Sequence, residues 1–295
     1  MPQRDLTIQR HASELGSWEI VNARPHAALA GVARGYTGYR ENTPGPLRRR
    51  EVPRAAVTVI LSFEHPLRVL PSLDGRDPGV TVTSFVAGLD DAPTITEHAG
   101  RQNGIEIALC PLAASTLFGV AMDTVARRVV DLSDLLGREG PELISRLAEA
   151  RGWSDRFALV DQVLIPRLRN GRAPPPEVSW AWRRLCESGG TIPIQQLTRE
   201  VGFSQRYLIE RFRTYIGFPP KVAARVLRFE RARDLLQSAP PGSLASVAAG
   251  AGYYDQAHLN LEFQRLAGCT PREYLATQLP DGGGNDAMAA AARVA

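Results

Sequence analysis

The hydrophobic pattern of the first 170 residues changes from strand-like to helical. β-Branched and apolar residues cluster, or alternate with polar ones, in three segments that predict strands: 56–63, 80–86 and 105–109. From Leu112 onward apolar residues recur every three or four positions, which predicts helices in three more segments: 132–136, 143–147 and 157–168. Residues 1–170 are therefore expected to form a small sheet followed by helices.

After residue 177 the pattern is helical throughout. Polar capping residues precede the apolar runs and glycines follow them, so the bounds of most elements are visible in the sequence. The predicted helices cover 178–187, 194–201, 205–216, 221–237, 244–251 and 256–267. This half of the chain is expected to be entirely α-helical.

A proline-rich segment separates the two halves. Arg172-Ala-Pro-Pro-Pro176 follows Asn170-Gly171, and consecutive prolines favour an extended, semi-rigid spacer. The residues after 279 are small and of low complexity, so they cannot bury a core. We predict four parts: a sensor or dimerisation domain at 1–170, a linker at 171–177, an all-α domain at 178–279 and a disordered tail at 280–295.

The all-α part contains an internal repeat. An offset of 51 residues aligns the caps, core positions and stops of two copies: Ser204 with Asp255, Leu208 with Leu259, Phe212 with Phe263, Gly217 with Gly268. Upstream the offset is 50, so the second copy has one residue inserted at its turn. Each copy is a short helix, a glycine turn and a capped longer helix. That is the layout of a helix-turn-helix unit, whose second helix can enter a major groove.

The outward stripe of each longer helix is the expected reading face. The candidate DNA-binding residues are Gln205, Arg206, Ile209, Glu210 and Arg213 in the first copy and Gln256, Ala257, Asn260, Leu261 and Gln264 in the second. The alternative is a plain helical bundle, in which these side chains are only exposed to solvent. Matched caps, stops and core spacing in two copies favour DNA binding.

Residues 190–276 resemble the C-terminal domain of AraC/XylS-type transcription regulators. Three stretches carry the likeness: Val201-Gly-Phe-Ser-Gln-Arg-Tyr-Leu208, Leu227-Arg-Phe-Glu-Arg-Ala-Arg-Asp-Leu-Leu236 and Gly252-Tyr-Tyr-Asp-Gln-Ala-His-Leu-Asn-Leu-Glu-Phe-Gln-Arg-Leu-Ala-Gly-Cys-Thr-Pro-Arg-Glu-Tyr274. The resemblance implies two helix-turn-helix units on one rigid linker helix, which bind successive major grooves of double-stranded DNA. The further partners considered are RNA polymerase, a small-molecule effector and a second copy of the chain.

The sequence departs from that family at two reading positions. Where the family usually has an arginine two residues before the core phenylalanine, this chain has Glu210 and Leu261. Glutamate can accept a hydrogen bond from a cytosine amino group, and leucine can pack against a thymine methyl. Because the second copy has few polar side chains that could contact bases, we predict that the first copy supplies more of the affinity for DNA.

The N-terminal half resembles, over residues 36–121, a sensor-type domain of actinobacterial members of that family. The matching stretches are Gly38-Tyr-Arg-Glu41, Pro46-Leu-Arg-Arg-Arg-Glu51 and Ser84-Phe-Val-Ala-Gly88. The resemblance implies a degenerate cupin-like sheet that senses small molecules or mediates dimerisation. The expected fold class is therefore α+β, with an N-terminal sheet and helices joined to an all-α domain. Five aromatic residues are candidate pocket walls: Trp18, Tyr36, Tyr39, Phe63 and Phe85.

Chemistry-bearing motifs are scarce in this half. The paired candidates for a metal site are Glu64-His65 and Glu97-His98, but neighbours on a strand point to opposite faces, so solvated loop ends are the preferred interpretation. We expect no catalytic residues, no cofactor and no metal, and therefore no enzyme. Two alternatives stay open: an N-terminal domain that only dimerises or contacts RNA polymerase, and a small-molecule enzyme fused to a DNA-binding module.

The net positive charge of the chain is located in its C-terminal half. The 295 residues have a formal net charge of +4, and residues 175–279 alone hold 13 basic and nine acidic side chains, which is the same net charge. Lys221 is the only lysine, which we ascribe to compositional bias. No apolar run approaches the ~18 residues of a membrane span, and no Cys-x-x-Cys pair occurs. These features predict a cytoplasmic protein without membrane contact.

Overall fold

Residues 6–131 supply two antiparallel β-sheets, and nearly everything after them is helical. The computed structural model describes residues 4–70, 79–238, 243–279 and 285–286. The strands are β1 (Leu6–Ser13), β2 (Gly16–Ala23), β3 (Ala33–Asn42), β4 (Leu47–Glu51), β5 (Val57–Ser62), β6 (Leu67–Val69), β7 (Val80–Val82), β8 (Phe85–Ala87), β9 (Thr94–His98), β10 (Arg101–Leu109), β11 (Val129–Asp131) and β12 (Asn285–Asp286). The predicted α+β class is confirmed.

The larger sheet has the order β1-β2-β3-β10-β5-β8-β11, and the smaller one has the order β12-β4-β9-β6-β7. Cross-strand pairing places Trp18 opposite Glu41, and Glu41 opposite Gln102. These side chains share the face that looks toward the smaller sheet. The other face of the larger sheet is apolar, so the two faces differ sharply in polarity.

The helices are α1 (Pro111–Phe118), α2 (Leu132–Leu136), α3 (Glu139–Glu149), α4 (Trp153–Asn170), α5 (Pro176–Glu187), α6 (Ile194–Val201), α7 (Gln205–Ile216), α8 (Pro220–Gln237), α9 (Leu244–Ala251), α10 (Gln256–Ala267) and α11 (Pro271–Ala276). In the C-terminal half, the bounds agree with the sequence predictions to within two residues. This agreement is expected because local caps and glycine stops fix those bounds.

The predicted strand over 80–86 is wrong as a single element. Residues 80–82 pair with β6 in the smaller sheet, whereas residues 85–87 pair with β5 in the larger one. At the crossing, the Ser84 hydroxyl accepts a hydrogen bond from the Ser62 amide (3.0 Å) and donates one to the Ser62 carbonyl (3.1 Å). This side chain therefore replaces ladder hydrogen bonds where the chain changes sheets.

Helix α4 covers the apolar face of the larger sheet. Gly38 of β3 makes this possible, because a Cβ atom there would lie 2.5 Å from the Trp153 ring. Phe157, one turn further along α4, stacks on Tyr36 with 5.6 Å between ring centroids. The buried carboxylate of Asp161 accepts hydrogen bonds from Tyr36 (2.8 Å) and from Arg4, so the N-terminal residues are also fixed to α4.

The two helix-turn-helix units belong to different cores. The first unit, α6 and α7, shares one continuous apolar core with the larger sheet, α1–α5 and the start of α8. The second unit, α9 and α10, packs with the end of α8 and with α11 in a smaller separate core. Within it, Phe229 of α8 lies 4.9 Å from Phe263 of α10, measured between ring centroids. Helix α8 therefore runs from one core into the other.

The segment between the two halves is shorter than the predicted linker. Helix α5 begins at Pro176, and Pro175 is its N-cap. The predicted tail, 280–295, lies outside the described residues except for Asn285–Asp286, whose backbone pairs with Arg50 and Arg49 of β4. Among the described residues, no helix combines the length and hydrophobicity needed to cross a membrane.

Candidate nucleic-acid interface

Both units are built by the same local chemistry. Gly202 and Gly252 end the short helices with φ values of +76° and +80°, a conformation that favours glycine. The Ser204 hydroxyl accepts from the Tyr207 amide at 3.2 Å, and the Asp255 carboxylate accepts from the His258 amide at 2.8 Å. The caps therefore begin α7 and α10 at the positions that the repeat predicts.

The ten candidate reading residues lie on or near the surface. Eight are exposed, and Ile209 and Asn260 are half-buried. Arg206, 89% exposed along its side chain, lies 3.2 Å from the Glu210 carboxylate. The buried stripe of α7 includes Leu208, Phe212 and Ile216, whereas Tyr215 is only half-buried.

Several arginines of the helical half already have partners within the protein. On α8, Arg233 pairs with Asp234 (3.1 Å) and Arg228 donates to the Gly190 carbonyl (2.7 Å). In the first unit, the Arg211 guanidinium lies over the Tyr207 ring at 5.1 Å. Arg206 and Arg213 are therefore the cations of α7 that face outward without such a ring beneath them.

Two ionic clusters join α8 to the N-terminal half. Arg34 of β3 pairs with Glu230, which also accepts from the Ala55 amide at 3.4 Å. Nearer the start of α8, Asp91 binds Arg225 at 3.0 Å and Arg127 at 2.7 Å. The helix that carries both units is thus held against the sheets at two places.

The second of these clusters continues to α10. Arg225 also lies 3.8 Å from Glu262, a buried carboxylate of α10. Glu262 pairs in addition with Arg265, the basic residue of that helix, at 3.3 Å. A chain of charges therefore connects a loop of the N-terminal half with the second reading helix.

A polar cavity of about 710 Å³ lies between the two sheets and reaches the helical half. Trp18 and Tyr39, two of the predicted aromatic walls, line it. Tyr36, Phe63 and Phe85 do not, because they point into cores or toward α4. The residues that the helical half contributes are Arg233, Gln237, Tyr274, Gln278 and Leu279.

The Glu41 carboxylate contacts three other residues that line the cavity. It accepts from Trp18 Nε1 at 2.7 Å and from Arg49 at 2.6 Å, and His98 Nε2 lies 3.4 Å away. Burial alone would raise the pKa of Glu41, but the neighbouring His98 imidazole and the charge of Arg49 lower it on balance. Burial, followed by the negative charge of Glu106, raises the pKa of the nearby Glu51.

The prediction of solvated loop ends is wrong for His98. It is only 3% exposed and faces Glu41, whereas Glu97 points outward to Arg48 (2.6 Å) and Arg68 (2.9 Å). Its Nδ1 accepts from the Gly100 amide, which leaves Nε2 directed at the carboxylate. Within the described ranges, no cluster of three His, Cys, Asp or Glu side chains is arranged to hold a metal.

Known proteins share the helical half of this architecture. Residues 197–277 match a family model described as a helix-turn-helix domain. A stretch of 83 residues is 36% identical to the F1 operon positive regulatory protein of Yersinia pestis. This match covers 28% of this chain and 27% of that protein, so the chain spans about a quarter of the relative's length.

Similar solved structures include ToxT from Vibrio cholerae O395, with 9% identity and a TM-score of 0.47 over 82% of this chain and 96% of that chain. The C-terminal domain of AraT, a response regulator from Geobacillus stearothermophilus, has 19% identity and a TM-score of 0.34 over 38% of this chain and 93% of that chain. The sequence match over 197–277 coincides with the two capped units described above. The C-terminal part of this chain is therefore a helix-turn-helix domain of the AraC type.

Proposed function

We propose that this protein is a sequence-specific DNA-binding transcription regulator. The observation that carries the proposal is the pair of exposed, capped reading helices, α7 and α10, held on one 18-residue linker helix. At 1.5 Å per residue this helix is roughly 27 Å long, which suits two helices entering major grooves about one DNA turn apart. Genome-wide mapping of binding sites would give the operator, and the absence of any enriched sequence would contradict the proposal.

We further propose that the protein activates transcription through contact with RNA polymerase. The relative from Yersinia pestis is called a positive regulatory protein, which motivates the direction of the effect. Reporter transcription from a mapped operator should rise when the protein is supplied. A fall would assign the protein to repression instead.

The first unit is proposed to supply more affinity than the second. Arg206 offers an exposed guanidinium that can leave Glu210 for a phosphate or a guanine edge, whereas Gln264 carries no charge. We expect Arg206→Ala to weaken operator binding by about tenfold or more, and Gln264→Ala to weaken it by only about two- to threefold.

Gel-shift titration of the two variants at one salt concentration checks this difference, because phosphate contacts depend on salt. Arg151→Ala, in the loop between α3 and α4, is the matched control for loss of one exposed arginine. Equal losses in Arg206→Ala and Gln264→Ala would contradict the asymmetry.

We propose that a polar small molecule in the cavity between the sheets modulates DNA binding. Both halves of the chain line this cavity, so an occupant there would contact the sheets and also α8 and α11. Arg49 and Arg54 offer charged donors, although Glu41 and Glu106 already pair with them. A ligand that competes for these donors would alter contacts on both sides.

A thermal-shift screen of the full chain tests the effector proposal. A compound at 100 times its dissociation constant stabilises the protein by about 2.7 kcal/mol, which raises the melting temperature by several degrees. The shift should shrink in Ile20→Trp, which adds a ring to the wall of the cavity, and persist in Ile8→Trp, which adds the same ring at an exposed position of β1.

Other outcomes of the screen favour the alternative functions. If no compound shifts melting, an N-terminal half that only dimerises or contacts RNA polymerase is favoured. Stoichiometric metal in the purified protein would favour a small-molecule enzyme fused to the DNA-binding domain.

A further inference from the structure

An aromatic side chain stands almost free on the surface beside the second reading helix. Tyr254 is 93% exposed, and it directly precedes Asp255, the N-cap of α10. Six large hydrophobic residues are exposed in the described part of the chain, and three of them belong to the two helix-turn-helix units: Phe203, Tyr254 and Leu261. Exposed apolar groups are thus concentrated where DNA is proposed to bind.

The one-residue insertion in the second turn explains why Tyr254 points outward. Tyr253 takes the inward place and packs edge-on against His258, with 5.2 Å between ring centroids. In the first turn, the only aromatic is Phe203, which stacks on Tyr207 at 4.6 Å. None of the ring contacts in the described residues involves Tyr254, so its ring is available to a partner.

Two positions of the reading face that follows this turn are apolar as well. Leu261 is 50% exposed, and the exposed Ala257 lies one helical turn before it. The one basic residue of α10, Arg265, is already paired with Glu262. The second unit therefore offers DNA an apolar strip of Tyr254, Ala257 and Leu261 beside neutral polar side chains, and little free positive charge.

Thymine is the base that such a surface fits. Its C5-methyl group is the apolar feature of the major-groove edge, and apolar side chains recognise it by contact. The N-terminal end of a recognition helix is the part that meets base edges, and Tyr254 lies at that end of α10. Covering this ring and Leu261 with DNA would also remove exposed apolar surface from water.

We propose that the second unit selects thymine methyl groups through Tyr254 together with Ala257 and Leu261. Tyr254 thereby becomes a specificity-determining residue that lies in the turn, outside the reading helix itself. The proposal rests on the proposed DNA-binding function and names the base chemistry that its second unit recognises.

The test uses the full chain and binding sites selected from random double-stranded DNA. Each thymine of the selected site is replaced in turn by deoxyuridine, which removes only the methyl group. We expect at least one replacement to weaken wild-type binding about three- to tenfold. The same replacement should have little effect on Tyr254→Ala or Leu261→Ala, because those variants lack the contact. Tyr254→Phe should behave like the wild type.

Phe203→Ala is the matched control, since it removes a turn aromatic from the first unit. It should remain sensitive to the thymine replacements that Tyr254→Ala no longer senses. The melting temperature of Tyr254→Ala should equal that of the wild type, because so exposed a ring stabilises little. If Tyr254→Ala and Leu261→Ala keep the wild-type ratio of thymine to deoxyuridine affinity at every position, the inference is overturned. Failure to select any sequence would instead overturn the proposed function, and the inference with it.

Discussion

Replacing Phe263 by alanine is expected to unfold the second helix-turn-helix unit while the sheets and the first unit stay folded. Phe263 is fully buried and packs on Phe229 at 4.9 Å and on Tyr274 at 5.9 Å, measured between ring centroids. Removing a buried phenylalanine side chain costs about 3–5 kcal/mol. The cost falls on the smaller core, in which Phe229, Tyr253 and Tyr274 are the other buried aromatic residues.

Phe212→Ala is the matched comparison, because Phe212 occupies the same position in the first copy and is equally buried. Its ring belongs to the core shared with the sheets, so its loss should destabilise the whole N-terminal half. Native-state hydrogen exchange separates the two results. Phe263→Ala should accelerate exchange about a hundredfold or more in α9–α11 only, and Phe212→Ala should accelerate it in β10 and α4 also. Equal patterns in both variants would show that the two cores unfold together.

Glu230→Ala is expected to loosen the attachment of α8 to the sheets. Glu230 is 7% exposed and accepts hydrogen bonds from Arg34 and from the amide of Ala55. Without it, the buried Ala55 amide has no acceptor, whereas the half-exposed Arg34 can return to water. We expect a loss of about 2 kcal/mol in the free energy of unfolding. Asp234→Ala, at an exposed carboxylate on the same helix, should cost less than about 0.5 kcal/mol.

The pH dependence of this pair gives a second readout. Burial alone would raise the pKa of Glu230, but the hydrogen bond and charge of Arg34 lower it overall. A carboxyl with a lowered pKa in the folded state contributes stability that is fully present above its unfolded pKa, about 4.3. That contribution is lost as the pH falls through the folded pKa. Denaturant unfolding from pH 7 downward should therefore show the difference between wild type and Glu230→Gln shrinking below about pH 4. A constant difference would contradict the assigned role of the Arg34 pair.

The sequence predicts the helical half well because its signals are local. Ser204 and Asp255 cap their own helices, and Gly217 and Gly268 end them, so no distant contact is needed to place α7 and α10. The same signals identify both units and their exposed faces. The caps and stops do not encode the full DNA sequence that these faces are proposed to bind, because that sequence depends on contacts with a second molecule.

The first strands, β1–β4, are not predicted from the sequence because their faces depart from the usual pattern of one apolar and one polar face. In β3, Gly38 faces the core so that Trp153 can fit, while Tyr39 and Glu41 face a polar cavity. A strand with a glycine on its core face and charged residues on its cavity face lacks the alternation of apolar and polar residues by which a strand is predicted from sequence. Likewise, His98 looks like a loop residue until the fold brings Glu41 against it from a distant strand.

The pairing of Asn285–Asp286 with β4 has a practical consequence for shortened forms of the protein. This pairing covers the outer edge of β4 in the smaller sheet. A polypeptide ended at residue 279 keeps the described helices α1–α11, yet it would leave the amide and carbonyl groups of that edge open to another chain. Open sheet edges template edge-to-edge aggregation. Such a truncated form should therefore lose solubility on concentration, even though α7 and α10 are intact.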